Sequence, residues 1–304
     1  MRENEASIRG KVMRDLIAHV TNDHLIGKKI KNGELRKKIG DSEPPWKCPD
    51  CFSLEVIGMD NFSMEYLQSK ENPNTEKVIL QLHGGGYVGA MRNAYRMFAG
   101  LYCEVSHGMS VLTPDYRVAP EHPYPAAAED AMKAWNYLML LGYGARDVII
   151  TGDSAGGNLA LSLVLKLKEQ ERLFPRGIVL MSPWTDLTGE GKTFQTKAEL
   201  DPVLDKEYID RMTRAYAPDR DLTDPYISPL FGNFHGFPPV YIQVGENEIL
   251  LDDSLRLYKN LIKAGVAAHI DRFPGMWHVF QMSPFKKASE AMDKNAEFIY
   301  SVCR

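Results

Sequence analysis

Eight short runs, most of them rich in Val and Ile, constrain the fold of this chain more than any other feature, because stretches of helical pattern separate the later ones. The runs are SLEVIGM, FSMEYLQ, KVILQLH, MSVLTPDY, DVIITGD, GIVLMSP, PVYIQVG and VAAHIDRF, and helical pattern fills, for example, residues 126–141 and 252–264. Strands alternating with helices bury both faces of a sheet, so the pattern implies a mostly parallel sheet covered on either side. Only a tight polar turn joins the first two runs, which read as an antiparallel start. The expected class is α/β, with a mostly parallel eight-stranded sheet flanked by helices.

A chain of 304 residues with 44% hydrophobic content buries a large core, and one α/β domain with additions accounts for it. Ile8, Val12, Leu16 and Val20 recur four apart, the spacing of an amphipathic helix over residues 6–20, and a weaker helical stretch follows near 24–39. Pro44 and Pro45 then break any helix, which sets a boundary near residue 45. Residues 1–45 are expected to form a helical cap segment and 46–304 the main body. Residues 185–216 hold no strand and read as an ordinary crossover or as an insertion over the active face.

A formal net charge of −4 with both signs interspersed excludes the basic footprint of a nucleic-acid binder. The first residues mix charges and lack the apolar stretch of a secretory signal, and no run approaches the roughly 18 apolar residues of a spanning helix. Neither nucleic acid nor membrane is an expected partner, and the cytoplasm is the expected compartment. Cys48, Cys51, Cys103 and Cys303 are too few for a disulfide framework, and the CPDC motif lacks the partners that complete a zinc site. They are expected to be reduced thiols. Nothing fixes the oligomeric state, and a homodimer is left open.

The run DVIITGD leads through Gly152-Asp153-Ser154-Ala155-Gly156 into a helical stretch expected to begin near Gly157. A strand, a G-x-S-x-G turn and a helix in that order form the context in which a serine is lifted out of the sheet as a nucleophile. Small flanking residues let the turn tighten without Cβ collisions, and the helix start offers unpaired N–H groups and a positive dipole end. The pentapeptide alone is weak evidence, since Ser and Gly are common in turns.

A serine hydroxyl needs a base, and the histidines downstream are His235, His269 and His278. His235 lies in a loop and His269 within an alternating strand pattern. His278 follows the last strand in FPGMWHVF, where a Pro-Gly turn lets its ring swing over the strand ends. An acid to orient that ring is offered by GENEILLDD, which holds Glu246, Glu248, Asp252 and Asp253. Asp252 and Asp253 fit as dipole partners at a helix start, and Glu246 or Glu248 is better placed on the loop; spacing does not choose between them. Three consecutive glycines, Gly84–Gly86 in LQLHGGGYVG, follow a strand and free backbone N–H groups to meet developing negative charge.

With HGGGY, DYRVAPEHPYPAA, GDSAGG, SPWTDL, the acidic loop and the final histidine in this order, the chain resembles the hormone-sensitive-lipase-like branch of the α/β-hydrolases over roughly residues 50–300. The resemblance implies Ser154 as nucleophile, His278 as general base and acid, and Gly85, Gly86 and Ala155 as oxyanion-hole donors, with His83 anchoring the glycine loop. The family usually carries aspartate where this chain has Glu248; Glu248 is the expected triad acid and Asp252 the second choice. The resemblance also implies a cap made of the N-terminal helices and residues 185–216, in which Trp184, Phe194, Leu204, Tyr208, Met212 and Tyr216 line an acyl pocket or simply belong to the core. The implied activity is a serine carboxylesterase acting on small-molecule esters of short acyl chains, acetyl to about hexanoyl, with no metal or organic cofactor called for. The alternatives are a non-catalytic small-molecule receptor and an amide or carbohydrate-ester deacetylase.

Overall fold

The computed structural model describes residues 43–284 and 286–304, so the helices expected over 6–20 and 24–39 lie outside the described residues. Each of the eight sequence runs is a strand: β1 (Phe52–Gly58), β2 (Ser63–Ser69), β3 (Asn74–Leu82), β4 (Met109–Asp115), β5 (Val148–Asp153), β6 (Gly177–Met181), β7 (Val240–Gly245) and β8 (Ala268–Phe273). They form one sheet in the order β1-β2-β4-β3-β5-β6-β7-β8. β1 pairs antiparallel with β2 and β2 antiparallel with β4, and every later pairing is parallel.

Successive side chains of a strand point to opposite faces, and β5, β6 and β7 are buried at every position because both faces are covered. Val78, Leu80 and Leu82 of β3 and Val148 and Ile150 of β5 join one cluster with the helices α2 (Ala126–Leu140), α3 (Ala155–Glu169) and α6 (Leu251–Lys263). Ile79, Ile149, Val179 and Tyr241, one position out of phase, join a second cluster with α1 (Asn93–Val105) and α7 (Lys286–Cys303). Residues 185–216 hold α4 (Thr193–Thr196) and α5 (Lys206–Tyr216) and no strand. Their Phe194, Leu204, Met212 and Tyr216 are buried in the first cluster, so the segment packs onto the body as part of its core.

α3 starts at Ala155, two residues before the position expected from the sequence. Gly156 and Gly157 look like loop residues by propensity, yet close packing demands them inside the first helical turn: a Cβ on Gly156 would stand 2.0 Å from the carbonyl oxygen of Leu82. Cys48, Cys51, Cys103 and Cys303 are free thiols, and no described helix is long and apolar enough to cross a membrane. The order of strands decides where chemistry can happen. β3 and β5 are neighbours, so the glycine loop that follows one sits beside the serine turn that follows the other, and the loops after β6, β7 and β8 open at the same carboxyl end of the sheet.

Candidate active site

Ser154 is the single residue between β5 and α3, and it adopts φ 51° and ψ −120°, a backbone conformation that a residue with a Cβ rarely enters. The turn is held by its own bonds: Ser154 N–H donates to Met181 O at 2.9 Å, and Ser154 O accepts from Gly157, Asn158 and Trp184 N–H. Such strain persists only where neighbours over-determine it, and here it presents Oγ to the carboxyl end of the sheet.

His278 Nε2 lies 3.0 Å from Ser154 Oγ, and Nδ1 lies 3.5 Å from Glu248 Oε1. All three residues are buried. The loops that carry the histidine and the acid are laced together, with Glu246 N–H donating to Phe273 O at 3.1 Å and Asn247 N–H to Met276 O at 2.8 Å. Glu248 Oε2 accepts from Ser182 Oγ at 2.8 Å and from Gly245 N–H at 3.0 Å, which leaves Oε1 facing the imidazole. Burial alone would lower the histidine pKa, but the Glu248 carboxylate, helped by Asp201 and Asp153, more than offsets it and holds His278 above the ordinary 6.5.

The other acids go elsewhere. Glu246 pairs with Arg272 at 2.7 Å, and Asp252 accepts from Lys192 N–H at 2.6 Å. Asp253 accepts from Thr185 and Asp186 N–H at 2.8 and 2.9 Å, and its burial pushes the carboxyl up to about 8. Asp252 and Asp253 stand in the first turn of α6, as expected of dipole partners, and in addition tie residues 185–192 to that helix. Of the remaining histidines, His269 is mostly exposed on β8 beside Asp271, and His235 lies on an exposed loop whose carbonyl accepts from Lys168.

His83 is buried, stacked on Tyr116 with ring centroids 4.0 Å apart, and its Nδ1 lies 2.8 Å from Gly84 O. Gly84 N–H is committed to Asp153 Oδ1 at 2.9 Å, so within the triplet Gly85 and Gly86 are the N–H groups left to meet an oxyanion. Gly86 has φ 62°, and a Cβ there would fall 1.8 Å from Met212 Sδ: α5 lies directly on the glycine loop. Of the six pocket candidates, Trp184, Phe194, Leu204, Met212 and Tyr216 are buried in the main core and Tyr208 partly so, and Met212 touches the glycine loop itself.

Three participants escape sequence reasoning. Asp153 bonds Gly84 N–H and, at 3.2 Å, Tyr95 OH, and desolvation raises its carboxyl to about 6. Asp201 accepts from Ile249 N–H at 2.9 Å, beside Glu248, and burial likewise raises it to about 6. Ser182 bonds Glu248. Asp153 stands inside the serine motif and could have been noticed there; Asp201 sits in an Asp-Pro turn and Ser182 before a proline, signals of turns that say nothing of the partner reached.

Residues 79–282 match the family described as alpha/beta hydrolase fold. An esterase of Acinetobacter venetianus is 38% identical over 237 residues, covering 77% of this chain and 78% of its own. An acetyl-hydrolase of Streptomyces hygroscopicus is 30% identical over 279 residues, 90% of each chain. Among solved structures, an esterase from the bacterial hormone-sensitive lipase family superposes with a TM-score of 0.80 at 31% identity over 88% of both chains.

Proposed function

Because this chain belongs to the α/β-hydrolase family, in its hormone-sensitive-lipase-like branch, and is a carboxylic ester hydrolase, we propose that it cleaves short-chain acyl esters through an acyl-enzyme on Ser154. The observation that carries this reading is the 3.0 Å approach of His278 Nε2 to the oxygen of a serine in a strained strand-to-helix turn. In the proposed sequence His278 takes the Ser154 proton as Oγ bonds to the ester carbon. N–H groups of Gly85, Gly86 and Ala155 meet the charge on the carbonyl oxygen. His278 then gives its proton to the departing alcohol, takes one from a water whose oxygen bonds to the acyl carbon, and returns that proton to Ser154 Oγ as the acyl–Oγ bond breaks and the acid leaves. Glu248 holds Nδ1–H and stabilises the imidazolium; a 3.5 Å contact in the free enzyme shortens as the ring gains charge. Residues 46–304 would be the catalytic unit with 185–216 as its cap insertion, and four free thiols suit a reducing cytoplasm. Relatives named for ester hydrolysis set the receptor reading aside.

A general base works only when neutral, so a raised His278 pKa moves the acid side of the activity profile upward. The acid limb of kcat/KM is expected to have its apparent midpoint above 6.5, the ordinary histidine value. A stopped assay across pH 5–9 with p-nitrophenyl butyrate measures it; a midpoint at or below that value contradicts the carboxylate-assisted imidazole.

Met212 is the residue proposed to limit acyl length, because its thioether lies against Gly86, beside the proposed oxyanion donors. The wild type is expected to prefer acetyl to hexanoyl p-nitrophenyl esters. Met212→Ala is expected to raise kcat/KM on the decanoyl ester relative to the butanoyl by about tenfold, the worth of a methylene or so of apolar contact, with a core penalty of about 2–5 kcal/mol. An unchanged chain-length profile in a folded variant would remove Met212 from the pocket.

A further inference from the structure

Ser182 follows the last residue of β6 with φ 47°, in the left-handed region, and it is fully buried. Its N–H donates to Gln243 O at 2.7 Å, which fixes its backbone to β7. A hydroxyl offers one donor and two acceptor sites. Here Oγ donates to Glu248 Oε2 at 2.8 Å and accepts from Val279 N–H at 3.1 Å. One oxygen atom thus links the end of β6, the acid after β7 and the residue next to His278.

Val279 gives that link its meaning. It adopts φ 48° and ψ 42°, and a β-branched residue in the left-handed region is an outlier that its surroundings must enforce. The Ser182 hydroxyl on its N–H is one restraint, and Met282 N–H on its carbonyl at 3.2 Å is the other. At the same time Ser182 and Gly245 occupy Oε2 of Glu248, so Oε1 is the oxygen that meets the histidine.

We propose that Ser182 is a positioning residue of the catalytic site, whose hydroxyl sets which carboxylate oxygen faces His278 and where the histidine backbone turns. The proposal rests on the Ser154–His278–Glu248 reading. Ser182 touches neither substrate nor reacting atoms, and an ordinary buried serine would need only its own satisfaction, whereas this one bonds the carboxylate that meets His278 and the N–H of the residue after it.

Ser182→Ala and Ser182→Gly, measured beside Ser154→Ala, test it with p-nitrophenyl butyrate across pH. Both Ser182 variants are expected to lose about 10- to 100-fold in kcat, the loss of one hydrogen bond to a charged group, with KM nearly unchanged. Three carboxyl groups face His278: Glu248 from the loop after β7, Asp201 from residues 185–216 and Asp153 from the end of β5. Without the hydroxyl, the Glu248 charge is less compensated and holds the imidazolium harder, so the acid-limb midpoint of kcat/KM moves up. Glycine relieves the positive φ, so Ser182→Gly is expected to melt no lower than Ser182→Ala, which separates positioning from folding. Wild-type kcat in Ser182→Gly, or slow turnover with an unmoved midpoint, overturns the proposal while an inactive Ser154→Ala leaves the triad standing. An active Ser154→Ala overturns both.

Discussion

Replacing Ser154 with alanine is expected to lower kcat on p-nitrophenyl butyrate by about 10⁵- to 10⁶-fold, with KM within a few-fold of the wild type. The change removes the oxygen proposed to form the acyl bond and leaves the histidine, the acid and the glycine loop in place. Alanine meets the same backbone strain at φ 51° as serine does, so the melting temperature is expected to stay near that of the wild type. Groups that act as a unit are not additive. Adding His278→Ala to Ser154→Ala is therefore expected to lower the residual rate little further, because the base has nothing left to deprotonate. What survives comes from binding and the oxyanion donors. A double variant much slower than either single one would mean that the two residues act in separate steps.

Glu248→Gln is expected to lower kcat by about 10³- to 10⁴-fold, and the hydrogen bonds around the carboxylate say why. Ser182 Oγ and Gly245 N–H both donate to Oε2. A glutamine must offer its carbonyl oxygen to those two donors, which turns its NH2 group toward His278 Nδ1. The ring answers by accepting at Nδ1 and carrying its proton on Nε2, the atom 3.0 Å from Ser154 Oγ, where it can no longer take the serine proton. Asp252→Ala is the control. Its carboxylate serves Lys192 N–H at the foot of α6, so turnover is expected to fall no more than about threefold, within the range of a surface-side change. Near-normal turnover in Glu248→Gln, or a collapse in Asp252→Ala, would move the acid away from Glu248.

The strands were legible because burial on both faces favours apolar side chains, and the chain builds its central strands around short β-branched runs such as Val148–Ile150. The serine turn and the histidine after the last strand were legible for a related reason: their geometry demands fixed local contexts, small residues around Ser154 and a turn before His278. What the sequence could not show depends on contacts between distant segments. The exchange of β3 and β4 in the sheet, which seats the glycine loop beside the serine, leaves no local trace. What each of the four acids meets was not readable either: Glu248 lies against His278, while Glu246, Asp252 and Asp253 each find a different partner. Ser182 and Asp201 were invisible because their partners lie 66 and 48 residues away, on loops whose meeting is a property of the fold.

The most direct test of the acyl-enzyme on Ser154 is titration with a p-nitrophenyl alkylphosphonate, followed by intact-mass and peptide mass spectrometry. The serine oxygen displaces p-nitrophenolate at phosphorus, and the adduct mimics the tetrahedral intermediate without the route to hydrolysis. The expected result is a single adduct, on the peptide carrying Ser154, with p-nitrophenol released in proportion to activity lost. A label on another residue, or a fully labelled protein that still turns over esters at the wild-type rate, would contradict it.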